Sequence, residues 1–233
     1  DGKTLRRSHD KRLGKRAIHM VSAWATANHL VLGQTKVEEK SNEITAIPEL
    51  LSILEISGCI ITIDAMGCQK EIAKAIVDRG ADYVLAVKEN QAILRRKITE
   101  LFSDAEEAAY ARTSYDFCKK AEKGHGRIET HRCWVIDDPD FLFYVQGTRE
   151  KSRWEGLRTI VKIESERRVG DQISAQTRYY ISSAGCDARK MLNTLRSHWS
   201  IENGLHWVLD IAFREDARAD QFLRSNGRFT FFY

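Results

Sequence analysis

Nowhere does the 233-residue sequence hold an apolar run near the roughly 20 residues that a membrane-spanning helix needs. Residues 1–20 also lack the apolar core of a signal peptide, so the sequence predicts a cytoplasmic protein with no membrane partner. Proline is scarce: two occur in the whole chain, and neither marks a hinge. Repeats and low-complexity linkers are absent. The five cysteines, Cys59, Cys68, Cys118, Cys133 and Cys186, include no CxxC pair. Their odd number and scattered spacing argue against a disulfide framework or a zinc site, and they read as reduced thiols.

What remains is the composition of a globular protein, 42% hydrophobic and 30% charged, long enough to bury a substantial core. The net charge of +4 is unevenly placed. The opening "DGKTLRRSHDKRLGKR" carries seven Lys or Arg against two Asp, while the rest is nearly balanced. Lys3, Arg6 and Arg7 make this stretch a candidate for a polyanionic partner, because lysine and arginine release counterions from phosphates. A solvated charged face is the alternative. The chain starts on Asp1 without methionine, and its tail "RSNGRFTFFY" has no helical or strand periodicity, so the sequence reads as a fragment with an irregular end.

"AIHMVSAWA" and "HLVLGQTKV" read as a hairpin of two strands. "SNEITAIPELLSILEIS" reads as a helix capped by Ser41 or Asn42, with Ile44, Ile47, Leu51 and Leu54 on one face. "IITI" and "DYVLAVK" are continuous apolar strands expected to be buried on both faces. They alternate with the helices "QKEIAKAIVDRG", stopped by Gly80, and "NQAILRRKITELFSDAEEAA". That alternation predicts a parallel α/β unit behind an antiparallel hairpin. Between residues 110 and 182, "HRCWVI", "FLFYVQ", "RTIVKIESER" and "QTRYYISS" read as strands of an inserted antiparallel sheet. The final "DARKMLNTLRSHWSIENGLHWVLDIAF" reads as a long helix with Met191, Leu195, Trp199, Glu202, His206 and Leu209 on one broad face.

Two stretches carry candidate chemistry. In "IITIDAMGCQ" a buried strand runs into Asp64, which either caps the following helix or presents a carboxylate at the carboxyl end of an open sheet. In the last helix, His198, Glu202 and His206 recur every four residues on one face, interleaved with Trp199 and Trp207. Histidines at that spacing can hold a metal, but the zincin signature is missing, and taken alone the stretch reads rather as a surface ladder of polar residues beside core tryptophans. "GHGRIETHR" adds a turn whose backbone and Arg127, with His125 and Glu129 nearby, suit phosphate contact, or form an ordinary hairpin turn. Most of the five tryptophans read as core rather than as base-stacking platforms.

The blocks "DGKTLRRS", "KSNEITAIPELL", "TIDAMGCQ", "YVLAVKENQ", "GHGRIETHR", "YYISS" and "HWSIENGLHWVLDIAFRED" resemble, in order, the H-repeat-associated family of bacterial insertion-sequence transposases, of the DDE class. The resemblance implies an α/β, ribonuclease H-like mixed sheet flanked by helices, with an inserted antiparallel β-rich region. It divides the chain into residues 1–109, the first part of the core; 110–182, the insertion; 183–216, the catalytic helix; and 217–233, an irregular tail. It assigns Asp1, Asp64 and Glu202 to two divalent ions, Mg2+ with Mn2+ as a substitute; Asp210, Glu215 and Asp216 are weaker stand-ins for the last acid. It implies cleavage at terminal inverted repeats, joining of the freed 3′ hydroxyl to target DNA, a homo-oligomeric synaptic complex and association with the nucleoid.

The sequence departs from a broader relative that carries Tyr, Arg, Glu and Lys around the final acid. Here His198 stands four residues before Glu202 and Leu209 seven after, so those basic roles do not carry over. His198, Asn203 and His206 become the candidates for phosphate contact. Two rival functions remain open at this point: a metal-dependent nuclease without strand transfer, and a catalytically dead transposon-derived DNA-binding protein.

Overall fold

In a computed structural model the described residues are 2–4, 17–37, 42–124, 126–147 and 153–198, with 201, 204, 205, 207 and 209 beyond them. The chain divides into two compact units, residues 1–54 with 199–233, and residues 55–198.

The first unit contains the expected hairpin. Strands β1 (Gly2–Thr4), β2 (His19–Ala25) and β3 (Leu30–Val37) form an antiparallel sheet in that order, with a register shift at Ala23 and Trp24. Helix α1 (Glu43–Ser52) packs on β2 and β3 through Ala46, Ile47, Leu50 and Leu51. Asn42 caps it, its side-chain oxygen accepting from the Ile44 amide at 3.0 Å. Pro48 forgoes one backbone bond inside the helix, and the buried face holds the helix together. Gly33 gives α1 room to approach: a Cβ there would lie 3.1 Å from Leu50 Cδ1.

The second unit is built on six strands in the order β4 (Ile60–Ile63), β5 (Asp82–Val87), β9 (Gln172–Ser182), β8 (Thr159–Val169), β7 (Arg127–Ile136), β6 (Tyr115–Gly124). β4 and β5 are parallel and joined through α2 (Lys70–Val77), whereas every other neighbouring pair is antiparallel. The sheet is therefore mixed, and the strands expected as an inserted antiparallel sheet join it where β9 pairs with β5. α2 stops before Gly80, whose left-handed backbone (φ +72°) lets the chain reverse into β5.

Helices cover both faces. α5 (Ala188–His198) places Ala188, Met191, Leu192 and Leu195 over Val84, Cys133, Val135, Val161, Ile163 and Tyr180. On the other face α3 (Ala92–Glu107) brings Phe102 to 5.9 Å from the Tyr179 ring and Glu106 to the Lys162 ammonium. Burial alone would lower the Lys162 pKa, but the carboxylates of Glu106 and Glu164 outweigh it and hold the ammonium above its ordinary value. Cover on both sides explains why β5 is an unbroken apolar run from Tyr83 to Val87 and why the first half of β8 is buried throughout, Lys162 included. The second half of β8 and the first half of β9, with the hairpin ends of β6 and β7, run past the carboxyl ends of β4 and β5. Val87 at the end of β5 is level with Tyr179, leaving residues 172–178 of β9 beyond it.

Three expectations need correction. "FLFYVQ" is not a strand but most of helix α4 (Pro139–Gln146): Asp138 caps it, accepting from the Asp140 and Phe141 amides, and Pro139 opens it with its φ already helical. β6 had no counterpart in the sequence reading, because "YDFCKKAEKG" is charged and mostly exposed. β4 is not buried on both faces; all four of its residues are half-buried at the end of the sheet's strand order.

Candidate metal and nucleic-acid site

Asp64 follows the last residue of β4, at the carboxyl end of the parallel pair. Side chains alternate along a strand, and Ile60 packs into the core beneath α5, so Thr62 faces α5 as well. Thr62 Oγ1 indeed meets His198 Nδ1 at 2.9 Å, which ties the last turn of α5 to β4.

The Asp64 carboxylate is held on one side. Its Oδ1 accepts from the Met66 amide at 3.1 Å and, more weakly, from the Gly67 amide at 3.5 Å. This turn is not a helix cap, since the cap position of α2 is Gln69, five residues later. The loop after Asp64 is pinned in turn: Asn90 donates to the Ala65 carbonyl and Gln91 to the Cys68 carbonyl at 2.8 Å. Oδ2 has no hydrogen-bond partner among the described residues. A carboxylate fixed through one oxygen and open at the other suits a hard divalent cation, which takes oxygen ligands and keeps several positions for water or phosphate. Among the described residues no three ligating side chains converge.

His198 was a candidate for phosphate contact, and its Nδ1 is engaged by Thr62. Burial holds its pKa below the ordinary 6.5, against the pull of Asp64. His131, bonded to Ser165 at 2.9 Å, is also lowered, by burial first and then by Arg196. For a histidine depressed in the fold, the unfolded chain takes the proton first. Stability is then full above about pH 6.5 and declines as pH falls from there through the folded values. Urea midpoints at pH 7 and pH 5 should therefore differ more in the wild type than in His198→Gln.

The flanks of the other two acids lie in the first unit. Asp1 and Glu202 themselves are outside the described residues, as are Arg6, Arg7, His125, Asn203 and His206. Lys3 is in β1, which pairs with β2. Near Glu202, Ile201 is buried, and a Cβ on Gly204 would lie 3.1 Å from Trp24 of β2. Trp154 is buried, while Trp207 stands 59% exposed.

Gly126, with φ +73°, makes the turn between β6 and β7, and Arg127 follows it with its Nε 2.9 Å from Glu129. Arg127 shares a shallow hollow with Glu122, Lys123, Gly124 and Glu129. Arg196 of α5, and then Lys120, hold the Glu122 carboxyl down to about 2, so this acid is ionised throughout the neutral range. The tip thus mixes cations with acids, and Arg127 meets a phosphate only in exchange for its bond to Glu129. Sequence reasoning missed Thr62, Asn90 and Gln91, whose roles depend on partners 23 to 136 residues away. It also missed His19 and Glu43 in the first unit, which are bonded to each other.

Residues 1–229 match the transposase DDE domain family. The chain belongs to the DDE-domain transposases. It is 46% identical over 220 residues to "H repeat-associated putative transposase YhhI" of Escherichia coli K12, a match covering 93% of this chain and 56% of that protein. It is likewise 46% identical over 222 residues to "Putative transposase YncI" of Escherichia coli O157:H7, covering 93% and 54%. With "H repeat-associated putative transposase YbfD" of Escherichia coli K12 it shares 51% identity over 142 residues, covering 61% of this chain and 55% of that one. The transposase chain spans about half the length of the curated relatives it matches. Its mixed sheet flanked by helices is the ribonuclease H-like α/β class of the family. No helix among the described residues is long and apolar enough to cross a membrane.

Proposed function

We propose that this chain carries the catalytic domain of a metal-dependent DNA strand-transfer enzyme, with Asp1, Asp64 and Glu202 as the ligands of divalent ions, Mg2+ or Mn2+. The observation that carries the reading is Asp64 itself: it directly follows the parallel strand β4, one oxygen is fixed by backbone amides, and the other meets no hydrogen-bond partner among the described residues. The bond from Thr62 to His198 supports it by fixing the end of β4 that carries Asp64.

Divalent ions bound by such carboxylates neutralise phosphate charge and ready an oxygen nucleophile for in-line displacement. The chain's own part is to hold its carboxylates ionised and fixed while DNA is gripped through its phosphates. Lys3, Arg6 and Arg7, His125 and Arg127 at the hairpin turn, and His198, Asn203 and His206 around the last acid are the contacts we assign to DNA. The terminal inverted repeats of the element and a target duplex are the substrates, brought together by more than one copy of the chain. Residues 110–182 act in this reading as the insertion between the second and third acids.

Incubating the purified protein with labelled terminal-repeat DNA, target DNA and Mg2+ tests the proposal. Joined product is expected. Cleavage without joining would replace the reading by that of a nuclease, and retarded but intact DNA by that of a binding protein without catalysis.

A further inference from the structure

At the start of α1, Glu43 follows the Asn42 cap, where an acid ordinarily serves the positive end of the helix. Its carboxylate is engaged elsewhere. Glu43 Oε1 lies 2.6 Å from His19 Nε2, and the other ring nitrogen, Nδ1, lies 2.8 Å from Thr4 Oγ1. A carboxylate only accepts, so Nε2 donates to it; in the neutral ring Nδ1 then accepts from the threonine hydroxyl. The imidazole therefore bridges α1 to β1, the strand that begins immediately after Asp1.

The pair also presses on Gly2. A Cβ there would collide with Glu43 Oε1 and sit 2.6 Å from His19 Nε2, closer than any side chain tolerates. Gly2 and Thr4, two apart in β1, share one face of the strand. One contact packs against the first and the other bonds to the second. The side chains of His19 and Glu43 are 29% and 15% exposed, so the pair gives up much of its hydration to occupy this place. α1 also packs on the sheet through Ala46, Ile47, Leu50 and Leu51.

From this geometry we infer that His19 and Glu43 are positioning residues for Asp1: they clamp the two alternate residues of β1 that follow it and so set where its carboxylate stands. The inference rests on the proposed role of Asp1. It explains why glycine follows the aspartate in "DGKT", since any side chain would displace the clamp.

The test uses the whole chain and two readouts that do not require turnover: Mn2+ affinity by spectroscopic titration, and amide hydrogen exchange of Gly2–Thr4 in the metal-free protein. Glu43→Ala should speed exchange in β1 and weaken Mn2+ binding by about tenfold, the scale of losing a group that orients a ligand. Glu43→Gln keeps an oxygen that accepts from Nε2 and should recover most of both. Should Glu43→Ala fail to fold, Thr4→Val, at an exposed position in a strand, removes the other end of the bridge and should shift both readouts in the same direction. Unchanged Mn2+ affinity in Glu43→Ala, or in Thr4→Val where that variant stands in, overturns the inference. A Glu43→Gln protein as defective as Glu43→Ala overturns it too, since charge rather than positioning would then be at work. Asp1→Asn separates the two levels. If it leaves Mn2+ affinity unchanged, the assignment of Asp1 fails and the inference falls with it; if it weakens binding while Glu43→Ala does not, only the inference fails.

Discussion

Asp64→Asn should remove DNA cleavage and joining while leaving the fold and DNA binding in place. Asparagine has the same shape, and its Oδ1 still accepts from the Met66 and Gly67 amides, so the turn after β4 survives. What changes is the open position, where an amide –NH2 that donates replaces an oxygen that accepts, and a ligand charge is lost. The loss of turnover should exceed the roughly 10- to 100-fold typical of groups that merely orient a ligand. Stability should move by no more than about 0.5 kcal/mol, as for a substitution outside a packed core. Turnover is read on labelled terminal-repeat DNA and stability by urea unfolding. A variant that cleaves at the wild-type rate removes Asp64 from the site.

The second large effect is on the fold. Leu192→Ala should cost about 2–5 kcal/mol, the range for emptying a leucine-sized space in a packed core. Leu192 is 1% exposed in the layer where α5 covers β5, β9, β8 and β7, beside Met191, Leu195 and Ala188. Those neighbours are fixed by an entire helix and cannot collapse into the void. Urea denaturation gives the value. A change under about 1 kcal/mol would mean that α5 is not packed as described. By contrast, Asn193 and Ser197 line an open surface on the same helix with Arg189 and Lys190, and alanine there should be nearly neutral.

Most of the elements were legible because their apolar residues recur at helical spacing or gather in short strand-length runs. β2 and β3, α1, α2, β5, α3 and α5 all appear where the apolar pattern places them. The misses have physical causes. "FLFYVQ" is apolar at nearly every position, so periodicity cannot separate helix from strand, and only the preceding Asp138-Pro139 pair marks a helix start. β6 carries little intrinsic strand signal; it forms because β7 offers it ten consecutive register partners.

The site was legible one residue at a time. An acid at the end of an apolar strand is visible in "IITIDAMGCQ", and the structure adds that Asp64 serves a turn rather than a helix cap. The hydrogen bonds that frame it were not visible, because Thr62 finds His198 136 residues away and Asn90 finds Ala65 across a helix. The His19–Glu43 pair, 24 residues apart, has no local signature either. The family resemblance named the acids, whereas neighbouring side chains could be assigned only from the fold.

The central claim, that Asp64 holds a divalent ion, is met most directly by titrating the wild type and Asp64→Asn with Mn2+ and following the bound ion by electron paramagnetic resonance. Saturable binding is expected in the wild type and should be lost or greatly weakened in Asp64→Asn, with both proteins folded. Equal Mn2+ affinity in the two proteins would contradict it.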